Sequence, residues 1–207
     1  MISNEISSRA QIDLKDIQSQ PDNDFKFIFV YQDHLTKFVQ LRPLKTKRAE
    51  KVAYTLLDIF TILGAPSILQ SDNGREFCNQ VIEDGLKIVH GKPRHSQSQG
   101  SVERANQDVE NMLSSWLLDN NTAHWVEGLR FVQFMKNRAY HQGIKRSPYE
   151  AMFGMPAKVG LKSSILPDDV EINTEEELEE LLYISSQSAN IVEENQENIQ
   201  EELNDEN

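Results

Sequence analysis

Apolar and polar residues alternate from Gln11 to Ile17, so that Ile12 and Leu14 fall on one side of an extended chain and Asp13 and Lys15 on the other. Residues 25–31 are almost wholly apolar, the pattern of a strand covered on both faces. Residues 37–43 alternate again and stop at Pro43, which has no N–H to give a ladder. Short polar turns separate the three runs, which predicts an antiparallel meander. From Thr46, a predicted N-cap, Ala49, Val52, Ala53, Leu56, Leu57, Phe60 and Leu63 recur at helical spacing until Gly64-Ala65-Pro66 breaks the pattern. Residues 67–71 read as a fourth strand ending at Asp72, residues 75–87 as a short helix, and residues 87–91 as a fifth strand.

A polar, Gly-containing loop at 92–101 then leads into a helix over about 101–118. Val102, Ala105, Val109, Met112, Leu113, Trp116 and Leu117 form its apolar stripe, and Glu103, Asn106, Gln107 and Glu110 share the opposite face. A further amphipathic helix is predicted within 122–141, and residues 147–156 close the globular part. The fold class is therefore α/β, a five-stranded mixed sheet flanked by helices and followed by an acidic C-terminal tail. The expected organisation is an N-terminal extension at 1–9, one domain at 10–161, and a largely disordered tail at 162–207 in which 167–184 could form one acidic helix.

Charge changes the picture once it is divided along the chain. The net charge of −12 seems hostile to nucleic acid, yet from Ser163 onward there are 15 acidic and no basic residues, leaving 18 acidic against 21 basic side chains in 1–162. The folded part is mildly basic and compatible with a polyanion. The single cysteine, Cys78, excludes an intramolecular disulfide and a Cys-rich zinc site, and reads as an ordinary small hydrophobe or thiol. His34, His90, His95, His124 and His141 then read as loop and helix residues. No apolar run reaches the length of a membrane span and the N-terminus lacks the pattern of a signal peptide, so a soluble intracellular chain without a membrane partner is expected.

Three carboxylates stand out by position: Asp13 on the first strand, Asp72 at the tip of the fourth, and Glu103 near the start of a helix. If a sheet edge and a packed helix bring them together, they need a cation to stay ionised away from water. Mg²⁺ accepts a few carboxylates and leaves positions for phosphate oxygens, and a pair of such ions suits in-line displacement at phosphorus. Read singly, each acid also has a structural reading: Asp13 paired with a Lys or Arg, Asp72 capping an Asx-turn, Glu103 favouring a helix N-terminus.

The stretches QIDLKD, SDNGREF and HSQSQGSVERANQDVENML, with NRAYHQGIKRSPYEAMFGMP after them, closely resemble the catalytic core of retroviral and Ty3/gypsy-type retrotransposon integrases, and more narrowly domesticated integrase genes of animals. The resemblance covers about residues 10–161 and implies an RNase H-like fold. It assigns Asp13, Asp72 and Glu103 to a DDE triad that is both catalytic and metal-binding, holding two Mg²⁺ or Mn²⁺ ions. It makes Asn73, Gln97, Gln99, Asn106 and Gln107 candidate DNA contacts, with Gln97–Gly100 in a mobile loop beside the site. The implied activity is metal-dependent phosphodiester cleavage and strand transfer in DNA integration, in a nuclear protein. DNA, a second copy of the chain, and proteins recruited by the acidic tail are the implied partners. The separation from Asp72 to Glu103 is 31 positions, shorter than the family's usual mid-thirties. That leaves a second reading, a catalytically weak or inactive domesticated core that serves as a nucleic-acid-binding or protein-interaction module.

Overall fold

The computed structural model describes residues 6–71, 89–90, 96–160 and 172–184, those at 89–90 and 96–103 by their backbone alone. The helix predicted at 75–87, Cys78, Asp72 and Asn73 lie outside the described residues. The meander is present as β1 (Arg9–Asp16), β2 (Phe27–Asp33) and β3 (Val39–Leu44), joined by antiparallel pairing. β4 (Ile68–Ser71) runs parallel to β1, and the two-residue β5 (Val89–His90) runs parallel to β4. The sheet order is β3-β2-β1-β4-β5, with four strands of four residues or more and β5 as a short addition. The middle strand is thus β1.

Alternation divides the sheet's side chains between two cores. Ala10, Ile12, Phe27, Phe29, Tyr31 and Leu69 pack with Val52, Ala53, Leu56, Ile59 and Phe60 of α1 (Ala49–Leu63). On the other face, Ile28, Val30 and Leu41 pack with Val109 and Leu113 of α2 (Ser96–Asp119) and with Trp125, Leu129 and Val132 of α3 (Trp125–Arg138). Every residue of β2 is buried, as its nearly continuous apolar run requires. Each large side chain so buried contributes about 1.5–3 kcal/mol by leaving water.

The helix ends differ from expectation in two places. The N-cap of α1 is Arg48, without a side-chain cap bond, rather than Thr46. There the Arg48 carbonyl accepts the N–H groups of Lys51 and Val52, at 2.9 and 3.1 Å, and the Thr46 hydroxyl lies outside the helix start. α2 begins at Ser96, so Gln97–Gly100 are helical and not an open loop. Gly100 is the one poor helix former in that run, and its cost of about 1 kcal/mol is small beside the cooperative gain of a long helix. The expected stop after α1 holds: Gly64 adopts φ 81°, ψ 158°, a conformation that suits glycine alone.

α2 and α3 meet where Gly128 faces the Trp116 ring. A Cβ added at Gly128 would come within 2.4 Å of the Trp116 ring, which is itself stacked on Phe131 at 5.7 Å between centroids. Gly128→Ala is expected to destabilise the protein by about 1–3 kcal/mol despite alanine's better helix propensity, because the indole must move. Equilibrium urea unfolding measures this, and a stabilised variant would show that the interface has slack.

The opposite flank of the sheet is finished by side chains. Val39 N–H donates to Asn137 Oδ1 and Asn137 Nδ2 donates to Val39 O, both at 2.8 Å, while Leu41 N–H donates to Gln133 Oε1 at 2.7 Å. Positions i and i+4 on a helix are about 6.0 Å apart along its axis, and i and i+2 on a strand about 6.8 Å, so the two spacings nearly match. α3 therefore supplies the bonds that a neighbouring strand would otherwise make.

The start of α3 is anchored by buried Asp22, which accepts Val126 N–H at 2.9 Å and meets His124 Nδ1 at 3.0 Å. That hydrogen bond, and then the carboxylate's charge, raises the His124 pKa. A raised folded-state value stabilises most below the unfolded value of about 6.5, and the gain is lost as pH rises through the folded value. The melting-temperature difference between wild type and His124→Ala should accordingly be largest in mild acid and shrink as pH rises. A difference independent of pH would remove the titration from the explanation. The short α4 (Pro148–Phe153) is capped by Ser147, whose side chain accepts Glu150 N–H at 3.1 Å, and ends at left-handed Gly154.

The chain divides into two compact units, Met1–Pro156 and Ala157–Asn207. In the second, residues 175–184 are helical, within the acidic helix predicted for the tail. Thr174 Oγ1 accepts Glu177 N–H at 3.2 Å, a side-chain cap at its start, and Glu177 Oε2 accepts the N–H of Asn173, the residue before Thr174, at 2.9 Å. No described helix is long and apolar enough to cross a membrane.

Candidate active site

Asp13 is set by strand period on the face of β1 that looks toward α2, between Gln11 and Lys15. Its carboxylate is half-buried. Oδ1 accepts Leu14 N–H at 2.8 Å, and Oδ2 accepts the Asn106 side-chain amide of α2 at 2.5 Å. No ion pair to Asp13 is present among the described residues, and Lys15, its neighbour on the same face, pairs with Glu110. Burial lowers the Lys15 pKa, with the charge of Asp13 acting in the opposite direction. Among the described residues Asp13 therefore makes no salt bridge, while Lys15 interacts with it through charge alone.

Two residues of β1, i and i+2, are thus matched by two residues of α2, i and i+4: Asp13 with Asn106 and Lys15 with Glu110. Sequence reasoning put Asn106, Gln107 and Glu110 together on an outward polar face. The structure divides them, with Asn106 and Glu110 turned onto the strand and Gln107 exposed, donating to Glu110 and Asn111 at 3.3 Å each. Asn106 Oδ1 is buried without a hydrogen-bond partner among the described residues. An orphaned amide oxygen beside a carboxylate is a hard-oxygen environment of the type that Mg²⁺ or Mn²⁺ accepts, so the donor chemistry fits such an ion.

The other members of the predicted site are reached only in part. Glu103 belongs to α2, one turn before Asn106, and Gln97 and Gln99 belong to its first turn. The parallel register of β1 with β4 runs from Arg9 with Ile68 to Ile12 with Ser71, and the residues that follow in the chain are Asp13 and Asp72. Among the described residues no group of three His, Cys, Asp or Glu side chains is placed to hold a metal ion. Asp72 lies outside that set, and Glu103 is described by its backbone alone.

A mixed sheet with a long helix laid across its central strand is an arrangement this chain shares with known proteins. Its fold matches the magnesium-bound catalytic core domain of HTLV-2 integrase in its trimeric form, with a TM-score of 0.59, 19% identity, and coverage of 70% of this chain and 96% of that one. The dimeric form of that domain matches with the same TM-score, 0.59. The Pro-Pol polyprotein of Simian foamy virus type 1 is 31% identical over 171 residues, 80% of this chain and 14% of the polyprotein. No family model matches. The chain is a homologue of the retroviral integrase catalytic core, with the α/β, RNase H-like fold of that family.

Within that class it is similar to the human KRAB-A domain-containing protein 2, at 52% identity over 183 residues. The match takes in 84% of this chain and 37% of the human protein, so the chain spans well under half of the curated relatives it resembles.

Proposed function

We propose that this chain is an integrase-type domain that binds DNA and carries out metal-dependent polynucleotidyl transfer, cutting a phosphodiester and joining a 3′-hydroxyl to it. The observation that carries the reading is Asp13: a half-buried carboxylate on the central strand, held by two amide donors and making no ion pair among the described residues. A structural aspartate at such a site would ordinarily be neutralised by a nearby cation. Asp13, Asp72 and Glu103 are the residues that would hold Mg²⁺ or Mn²⁺, two ions in all. When bound, the metal would stabilise charge developing at phosphorus and activate the attacking hydroxyl. Asn106 orients Asp13 through its amide, and Lys15 beside it pairs with Glu110 while still feeling the Asp13 charge. Asn73, Gln97, Gln99 and Gln107 are the candidate DNA contacts, and a nuclear location follows from the substrate. Relatedness to the viral cores, and the magnesium carried by the HTLV-2 domain, support the same reading.

Incubating the chain with labelled oligonucleotide duplexes in Mg²⁺ or Mn²⁺ should give nicked or strand-transfer products. Duplex binding with no product under either metal would replace this reading with that of a domesticated binding module.

A further inference from the structure

Beside the β2–β3 turn lies a cavity of about 250 Å³, bounded also by α2 and by the end of α3 with the residues after it. Three basic side chains line it from three different segments: Lys37 from the turn, Lys136 from α3, and His141 from the connection to α4. Asp13 is not among its lining residues.

Each of the three is held in place. Lys37 is half-buried and adopts a left-handed φ of 61°. Its N–H donates to the Asp33 carbonyl at 3.1 Å, and the fully buried Asp33 carboxylate fixes the turn by accepting the Thr36 N–H and hydroxyl, both at 2.7 Å. The Lys37 ammonium makes no ion pair among the described residues. The Lys136 side chain is only 12% exposed and bonds to Asp108 at 2.8 Å. Gly143 N–H donates to His141 Nδ1 at 3.1 Å, which makes Nε2 the hydrogen-bearing nitrogen of the neutral ring.

The charges facing this space are unequal. Against Lys37 and Lys136 stands Asp108 on the rim, with Asp33 behind the turn and Arg104 near Lys37. Burial, followed by Lys37 and Lys136, lowers the His141 pKa against the weaker pull of Asp108. Burial likewise lowers that of Lys37, with Arg104 adding to it and Asp33 opposing it. The geometry points to an anion site in which Lys37, Lys136 and His141 take one phosphate group. A cavity of 250 Å³ is smaller than the roughly 300–1,000 Å³ of sites for drug-sized ligands, which suits a single phosphate rather than a whole nucleotide. Donors converging from three segments match an oxyanion with three or four acceptor oxygens better than a planar carboxylate with two. The phosphate could belong to a nucleic-acid backbone or to a small soluble compound, and the chemistry of recognition is the same.

Titrating inorganic phosphate into the full chain, with the His141 ring followed by NMR, tests this. A saturable shift with a rise in the His141 pKa is expected. Lys37→Met should weaken binding about tenfold, the loss of one charge-assisted hydrogen bond, and Lys37→Arg should retain it. A DNA duplex that competes with phosphate for the same signal identifies a backbone phosphodiester as the source. Phosphate binding that duplex leaves untouched identifies a small phosphate compound. Absence of a saturable shift in the wild type overturns the site, as does acetate competing equally well, or wild-type affinity in a folded Lys37→Met. Repeating the titration in Asp13→Asn keeps this result separate from the catalytic reading, since the cavity should still bind phosphate there.

Discussion

Asn137→Leu is expected to lower the free energy of unfolding by about 2–5 kcal/mol. Asn137 is buried at the contact of α3 with β3, and its amide answers both the N–H and the C=O of Val39. Leucine fills similar space but answers neither. Leaving a buried donor or acceptor unpaired costs about 1–3 kcal/mol each. The midpoint of urea unfolding should fall with little change in slope, the signature of lost stability rather than altered compactness. Gln133→Leu should cost about half as much, since Gln133 answers one backbone group of β3, the Leu41 N–H, and shares its oxygen with Arg42. A loss below about 0.5 kcal/mol for Asn137→Leu would mean that water serves Val39 just as well.

Asp13→Asn should reduce metal-dependent DNA cleavage and strand transfer by at least about a hundredfold, the usual consequence of removing one electrostatic element of an active site. Folding should survive, because the oxygen of an amide at position 13 can still accept the Leu14 N–H, and its NH2 can donate to Asn106 once that side-chain amide turns its oxygen toward it. A second readout needs no catalysis. A metal that binds only the native state raises the melting temperature with concentration, and that rise should shrink or disappear in the variant. Unchanged metal-dependent stabilisation in Asp13→Asn would remove Asp13 from the set of ligands.

Much of the architecture was legible in period alone. The nearly all-apolar run at 25–31 announced a strand buried on both faces, and the stripe from Val52 to Phe60 announced the face of α1 that meets the sheet. Asp13 was legible as an acid on a strand. Its company was not, because polar residues on a helix read as outward-facing unless something buried needs them. The signal for Asn106 and Glu110 was present in a form that one-element periodicity cannot read: Asp13 and Lys15 two apart on a strand, Asn106 and Glu110 four apart on a helix, at nearly equal physical spacing. Gln133 and Asn137 repeat that relation with Leu41 and Val39, running in the opposite direction. The start of α2 was misread for a local reason, since Ser-Gln-Ser-Gln-Gly lacks apolar residues and so carries no helical period of its own. The Lys37 turn was hidden because the left-handed backbone there falls on a lysine rather than on Gly or Asn.

The pairing of Val39 and Leu41 with α3 also limits how copies of this molecule can meet. A sheet grows by accepting another chain's backbone along its border, and at β3 amides from α3 already occupy those positions. Lengthening the sheet across that border is closed to a second molecule unless α3 first lets go. Self-association at that border must therefore be built from side chains meeting side chains, which leaves the choice of neighbour there open to surface substitutions that spare the interior.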